Sequence, residues 1–133
     1  MQYLLLVYTD PALMDALPAE EYDRRMRDCF DHADALCADG TLLDYRQLEP
    51  PATARAVRIR GGRTQVLDGP FAETKEILAG FNLIEADSLA QAVEIASHIP
   101  WAQTGCIEVR PVRDAQAVRV RVGASTAATS AAG

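Results

Sequence analysis

Residues 3–8, Tyr3-Leu4-Leu5-Leu6-Val7-Tyr8, place Tyr3, Leu5 and Val7 on one face of an extended segment and Leu4, Leu6 and Tyr8 on the other. A strand covered on one side only alternates apolar with polar residues, so this one requires cover on both faces. Helices supply one cover. The other is a further packed surface, such as the sheet of a partner subunit, or a cleft in which Tyr8 keeps its ring against apolar neighbours and its hydroxyl on a polar group.

The helices are legible further along. Asp10-Pro11 turns the chain, residues 12–17 form a loop or short turn, and a helix begins at Pro18-Ala19-Glu20-Glu21, where proline and early acids suit the first turn. Tyr22, Met26, Cys29, Phe30, Ala33, Leu36 and Cys37 recur on one face of it, opposite a charged face, and Gly40 ends it. His32 sits at the edge of the apolar stripe near Asp28 and Asp31 and reads as structural or solvated. A second helix starts at Ser88-Leu89-Ala90-Gln91, which has capping-box spacing, and His98 falls on its exposed side.

Between and after the helices the period changes to two. Residues 42–48 read as a strand stopped by Pro50-Pro51, and residues 56–60 and 63–67 as a hairpin about Gly61-Gly62. Residues 79–86 and 106–112 read as two more strands, with Ile107 and Val109 inward and Glu108 and Arg110 on the opposite surface. Val118, Val120 and Val122 alternate with Arg119 and Arg121, so residues 113–123 add an edge or swapped strand. Residues 124–133 are Ala, Ser, Thr and Gly only and read as a flexible tail. The order is that of a two-layer α+β sheet with two helices on one face.

Composition enters as exclusion. With 19 acidic against 13 basic residues, the chain has no general attraction for nucleic acid. No apolar run approaches the roughly 20 residues of a membrane span, and Met1-Gln2-Tyr3 lacks the basic start of an export signal, which implies a cytoplasmic protein without membrane association. Cys29, Cys37 and Cys106 form neither a close pair nor a ligand cluster, so reduced, buried thiols are expected and no metal or cofactor.

The polar groups concentrate at Asp68-Gly69-Pro70-Phe71-Ala72-Glu73-Thr74-Lys75-Glu76. Gly69 and Pro70 make a rigid corner, Phe71 anchors it in the core, and Asp68 either caps the turn, orients a ligand or exchanges a proton. Beside another acid Asp68 would hold its proton; beside Lys75 or Arg110 it would stay anionic and bind. Thr74, Lys75 and Glu76 supply a hydroxyl, a cation and a carboxylate suited to a small polar or anionic metabolite, with Tyr8 as an aromatic wall and Arg110 as an anion-binding group.

That nine-residue stretch with Gly80-Phe81, the opening residues 3–8, Ile99-Pro100 and residues 107–112 together resemble the DGPF family of the YCII-related superfamily over residues 1–112. The resemblance implies a ferredoxin-like two-layer sandwich whose sheets pair in a homodimer as an α/β-barrel-like assembly. It also implies a cleft of unestablished activity and an indirect association with sigma factors. Some YCII-like proteins pair a histidine of the first helix with an aspartate; His32 stands off the expected position, which falls nearer Cys29. Three functions follow as expectations: a dimeric metabolite-binding or accessory regulatory module, a small lyase or hydrolase using Asp68 as acid/base, or a non-catalytic interaction dimer.

Overall fold

A computed structural model describes residues 1–70 and 75–125. Strand β1 (Gln2–Thr9) leads through Asp10 into a short helix α1 (Pro11–Asp15), then α2 (Ala19–Ala38) and β2 (Leu42–Gln47). A 3₁₀ turn (Pro51–Thr53) precedes the hairpin β3 (Arg55–Arg60) and β4 (Arg63–Asp68); β5 (Ile77–Glu85), α3 (Leu89–Ser97), a second 3₁₀ turn (Pro100–Gln103), β6 (Gly105–Pro111) and α4 (Ala115–Val122) complete it.

Four strands form one antiparallel sheet in the order β2-β5-β1-β6. Both long helices lie on one face of it, a two-layer α+β arrangement with ferredoxin-like topology. Asp10 caps α1 by accepting from the Ala12 N–H, and Ser88 caps α3 by accepting from the Gln91 N–H. The inner face of β1 contributes Tyr3, Leu5 and Val7, and Ile84 and Leu42 come from the neighbouring strands. Above them sit Ala33 of α2 and Ala92 and Ala96 of α3, small residues that let the helices approach, with Ile99 and Trp101 closing the end. Leu5 and Ile84 are completely buried and each contributes about 2 kcal/mol.

Two expectations are corrected. The barrel-like dimer is the first: the sheet is open, with β2 and β6 as its edges, and the structure is one chain without barrel closure. On its second face Leu4 and Leu6 lie beside Leu83 and Phe81 across the β1–β5 ladder, and all four are half-buried. The second is the strand over residues 113–123, which is helix α4: Asp114 accepts from the Ala117 N–H and Gly123 ends the helix at φ 73°. Those caps, with Ala115, Gln116 and Ala117 in the first turn, outweigh the valine alternation. The expected hairpin forms, and it stands as a separate two-stranded sheet with Val57, Ile59 and Val66 exposed. Phe71 and Thr74 lie outside the described residues, as do residues 126–133 of the expected tail; no described helix is long and apolar enough to cross a membrane.

Candidate functional site

The expected polar residues divide between two places. Asp68 ends β4 opposite Arg55, its Oδ1 3.2 Å from Arg55 Nε and its side chain 91% exposed. Gly69 adopts φ 86°, a conformation that resists a Cβ, and its N–H donates to Ala54 O at 2.8 Å, so the corner is built as expected. Pro70 follows it, exposed. Asp68 lines neither of the two concave regions described below.

Tyr8, Lys75 and Glu76 do come together, in an open cleft of about 650 Å³ that Asp10, Gln103, Cys106 and Glu108 also line. Lys75 Nζ stands 3.5 Å from Oδ2 of Asp10, a buried carboxylate whose Oδ1 is held by the Ala12 N–H. Arg110 is not part of this lining; it points from the open sheet face and pairs loosely with Glu108 at 3.8 Å. Three carboxylates against one ammonium give the cleft the sign opposite to that which an anion would seek.

The more enclosed site lies elsewhere. Between α2 and the inner sheet face is a cavity of about 340 Å³. Its helix wall comes from the apolar stripe, with Met26, Cys29 and Ala33, and Tyr22 and Phe30 stand half-open at its margin. The sheet floor is Val7 and Thr9 of β1, Tyr45 and Gln47 of β2, and Gly80 and Asn82 of β5. Trp101 closes one side and meets the Tyr22 ring at 5.6 Å and 41°. A mostly apolar hollow of this size with few polar groups has the character of a small-molecule site.

Cys29 and His32 are two of the ionisable groups that line it. Burial pushes the Cys29 thiol up against the opposing pull of the Trp101 indole N–H, which keeps the sulfur protonated and unreactive. Cys37 and Cys106 are exposed, a correction to the expectation of three buried thiols: neither finds an apolar partner surface above it. His32 also lines the cavity, its Nε2 out of contact with solvent and without a hydrogen-bond partner among the described residues. Desolvation depresses its pKa, with a smaller contribution from His98 across on α3. The imidazole is therefore neutral near pH 7, free to accept a proton although a weaker base than a solvated one, rather than charged by Asp28 and Asp31. Among the described residues no three His, Cys, Asp or Glu side chains are grouped to hold a metal ion.

The depressed His32 fixes a pH dependence. Its unfolded imidazole takes up a proton near the ordinary value of 6.5 while the folded one resists, so stability falls as the pH drops below about 6.5. Glu21, held at about 2 by Arg24 and Arg25, and Asp39, lowered by the Thr41 hydroxyl and N–H, lose their contributions only in the carboxylate range below that window. Thermal denaturation at pH 7.0 and 5.5 is expected to show a lower Tm at pH 5.5, and His32→Gln to remove most of that difference. Equal shifts in both proteins would mean that His32 titrates normally.

Sequence reasoning assigned the lining of this cavity to the core. Its one internal signal is Asn82, a carboxamide on the inner face of an otherwise apolar strand. Comparison with known proteins gives the following. The family described as the YCII-related domain matches residues 1–116. An uncharacterised protein of Rhizobium meliloti (strain 1021) is 40% identical over 114 residues, covering 84% of this chain and 92% of that one. Among solved structures, 5-chloro-2-hydroxyhydroquinone dehydrochlorinase from Burkholderia phenoliruptrix AC1100, in complex with 2,5-dihydroxybenzoquinone, superposes with a TM-score of 0.52 at 12% identity, over 85% of this chain and 94% of that one. At that identity the likeness is one of fold.

Proposed function

The chain belongs to the YCII-related family, and from that premise we propose that it is a small lyase that takes a compact organic substrate into the cavity between α2 and the sheet and uses His32 as its base. The observation that carries the reading is the combination of an enclosed, mainly apolar hollow with a desolvated imidazole in its wall. A neutral imidazole out of water accepts a proton from a substrate carbon or hydroxyl, and loss of a leaving group from the neighbouring atom completes an elimination. The apolar walls exclude water that would otherwise compete for that proton. A dehydrochlorinase on a similar fold is compatible with this class of chemistry and transfers no residue to this chain.

In this reading the Asp68 corner is structural, pinned by Arg55 and Ala54 and exposed to water, where a carboxylate has little reason to act as an acid. Asp68-Gly69-Pro70 and Gly80-Phe81 support placement in the DGPF branch. The accessory, sigma-factor-linked role that this branch implies needs no turnover.

The test is a panel of hydroxylated and halogenated ring compounds incubated with the protein, with loss of water or hydrogen halide followed by mass spectrometry. Turnover by the wild type that falls at least about 100-fold in His32→Gln and is unchanged in Asp68→Asn is the expected result. Turnover indifferent to His32 but lost with Asp68 would reverse the assignment. Binding without any turnover would leave the accessory role in its place.

A further inference from the structure

Resting on the reading of the α2–sheet cavity as a substrate site, we propose that Asn82 is its specificity-determining residue and that the substrate is an uncharged ring compound bearing a hydroxyl or carbonyl group. Asn82 sits in the middle of β5, paired with Leu5 on one side and Tyr45 on the other, so its side chain rises from the floor on the face that the helices cover. Along the same face of β5 its neighbours are Gly80 and Ile84, one without a side chain and the other completely buried. Asn82 is half-buried and lines the cavity.

Asn82 is half-buried and its carboxamide stays open to water in the hollow, so a ligand that displaces that water gains most when it reproduces the hydrogen bonds. Leucine or valine would pack between Leu5 and Tyr45 and offer a ligand no such bond, so the carboxamide decides which ligands the floor matches. It offers two N–H donors and one carbonyl acceptor, and so matches a hydroxyl or a carbonyl equally well. Gly80 beside it leaves the floor flat, and the rings of Trp101 and Tyr22 provide an edge suited to a planar body.

The charge of the substrate follows from what is missing around Asn82. Arg46 borders the cavity, but it pairs with Phe81 rather than with Asn82, and its guanidinium engages Asp44 on the outer face. Glu49 stands beyond the end of β2, exposed at the rim. A carboxylate or phosphate entering the hollow would lose its hydration without gaining a cation, a cost that a hydroxyl does not incur. This reverses the expectation of an anionic ligand that the Lys75 and Arg110 side chains suggest.

Three isosteric probes separate these points: 2-naphthol, 2-methylnaphthalene and 2-naphthoate, titrated into ¹⁵N-labelled protein. The readouts are the Trp101 indole N–H, the sole tryptophan signal, and the Asn82 carboxamide. The expected result is that 2-naphthol binds about tenfold more tightly than either other probe, a ratio in the range of one net hydrogen bond. In Asn82→Leu the naphthol affinity falls to that of 2-methylnaphthalene, whose own affinity is kept or improved. A naphthol preference that survives Asn82→Leu overturns the role of Asn82 and leaves the cavity reading standing. Should that variant fail to fold, the wild type decides: a naphthol complex that moves the Trp101 signal but not the Asn82 carboxamide also overturns it. If 2-naphthoate binds most tightly, the uncharged substrate class is wrong. If none of the three moves the Trp101 signal, it is the cavity as a ring-binding site that fails, and the inference fails with it.

Discussion

Gly105→Ala is expected to destabilise the fold by about 3 kcal/mol or more, lowering Tm by roughly 10 °C. An ideal Cβ at Gly105 would stand 1.9 Å from the Tyr8 carbonyl oxygen and 2.9 Å from Thr9 Cα, both backbone atoms of the adjacent strand. No rotamer relieves such a contact, so β6 must move away from β1 at the Thr9–Gly105 pair. The disturbance would reach the next rung, where the Asp10 N–H donates to Thr104 O at 3.1 Å, and with it the buried carboxylate that caps α1. Gly40→Ala is the control. Gly40 has φ 83° and nothing within 4 Å of its Cβ position, so alanine there carries only the left-handed strain of about 1 kcal/mol. Chemical denaturation of both variants decides; a Gly105→Ala protein no less stable than Gly40→Ala would mean that the β1–β6 ladder is not as close as described.

That close approach was invisible in the sequence, where Gly105 follows Thr104 as an ordinary start to a strand. What the sequence does encode is period and punctuation. The stripe from Tyr22 to Cys37, the Ser88–Gln91 box and the alternation at residues 106–112 each follow from local chemistry, and each element appears within two residues of its expected bounds. Period fails where it is short. Val118, Val120 and Val122 alternate over too few residues to outvote an aspartate cap and a glycine stop, and the chain is helical there. It also fails to say where an element goes: residues 55–68 make the expected hairpin, yet no rule of alternation reveals that it stands apart from the main sheet.

The site was legible in the same partial way. Tyr8, Lys75 and Glu76 share a cleft as their grouping suggested, but Asp68 and Arg110 face other directions, because strand register and not proximity in sequence fixes where side chains point. The cavity under α2 was hidden for a different reason. An apolar stripe on a helix states which face turns inward; it does not state how closely that face seats on the sheet. Tyr22, Met26, Cys29 and Ala33 would read the same whether they filled the space or lined a hollow. Asn82 breaks the apolar floor, and it was the residue from which a hollow could have been suspected.

Filling that hollow is the second large effect. Ala33 is 5% exposed and lines the cavity from the middle of α2, directed at the sheet. In Ala33→Phe the ring would project into space that is already empty, so the overpacking cost stays within about 1–3 kcal/mol and the fold persists. The ring would occupy the volume that a substrate needs, and 2-naphthol binding, followed through the Trp101 indole signal, is expected to fall beyond detection, at least about 50-fold. Asp68→Ala, at the exposed corner, is expected to leave the same titration unchanged. The two outcomes separate an enclosed site beneath α2 from a surface site at the corner. If Ala33→Phe binds as the wild type does while Asp68→Ala does not, the ligand sits at the corner, and His32 and Asn82 lose their roles together. If Ala33→Phe alone loses binding, a helix face that looks like ordinary core is the wall of the functional site, and the conspicuous Asp-Gly-Pro corner serves to hold the chain in place between β4 and β5.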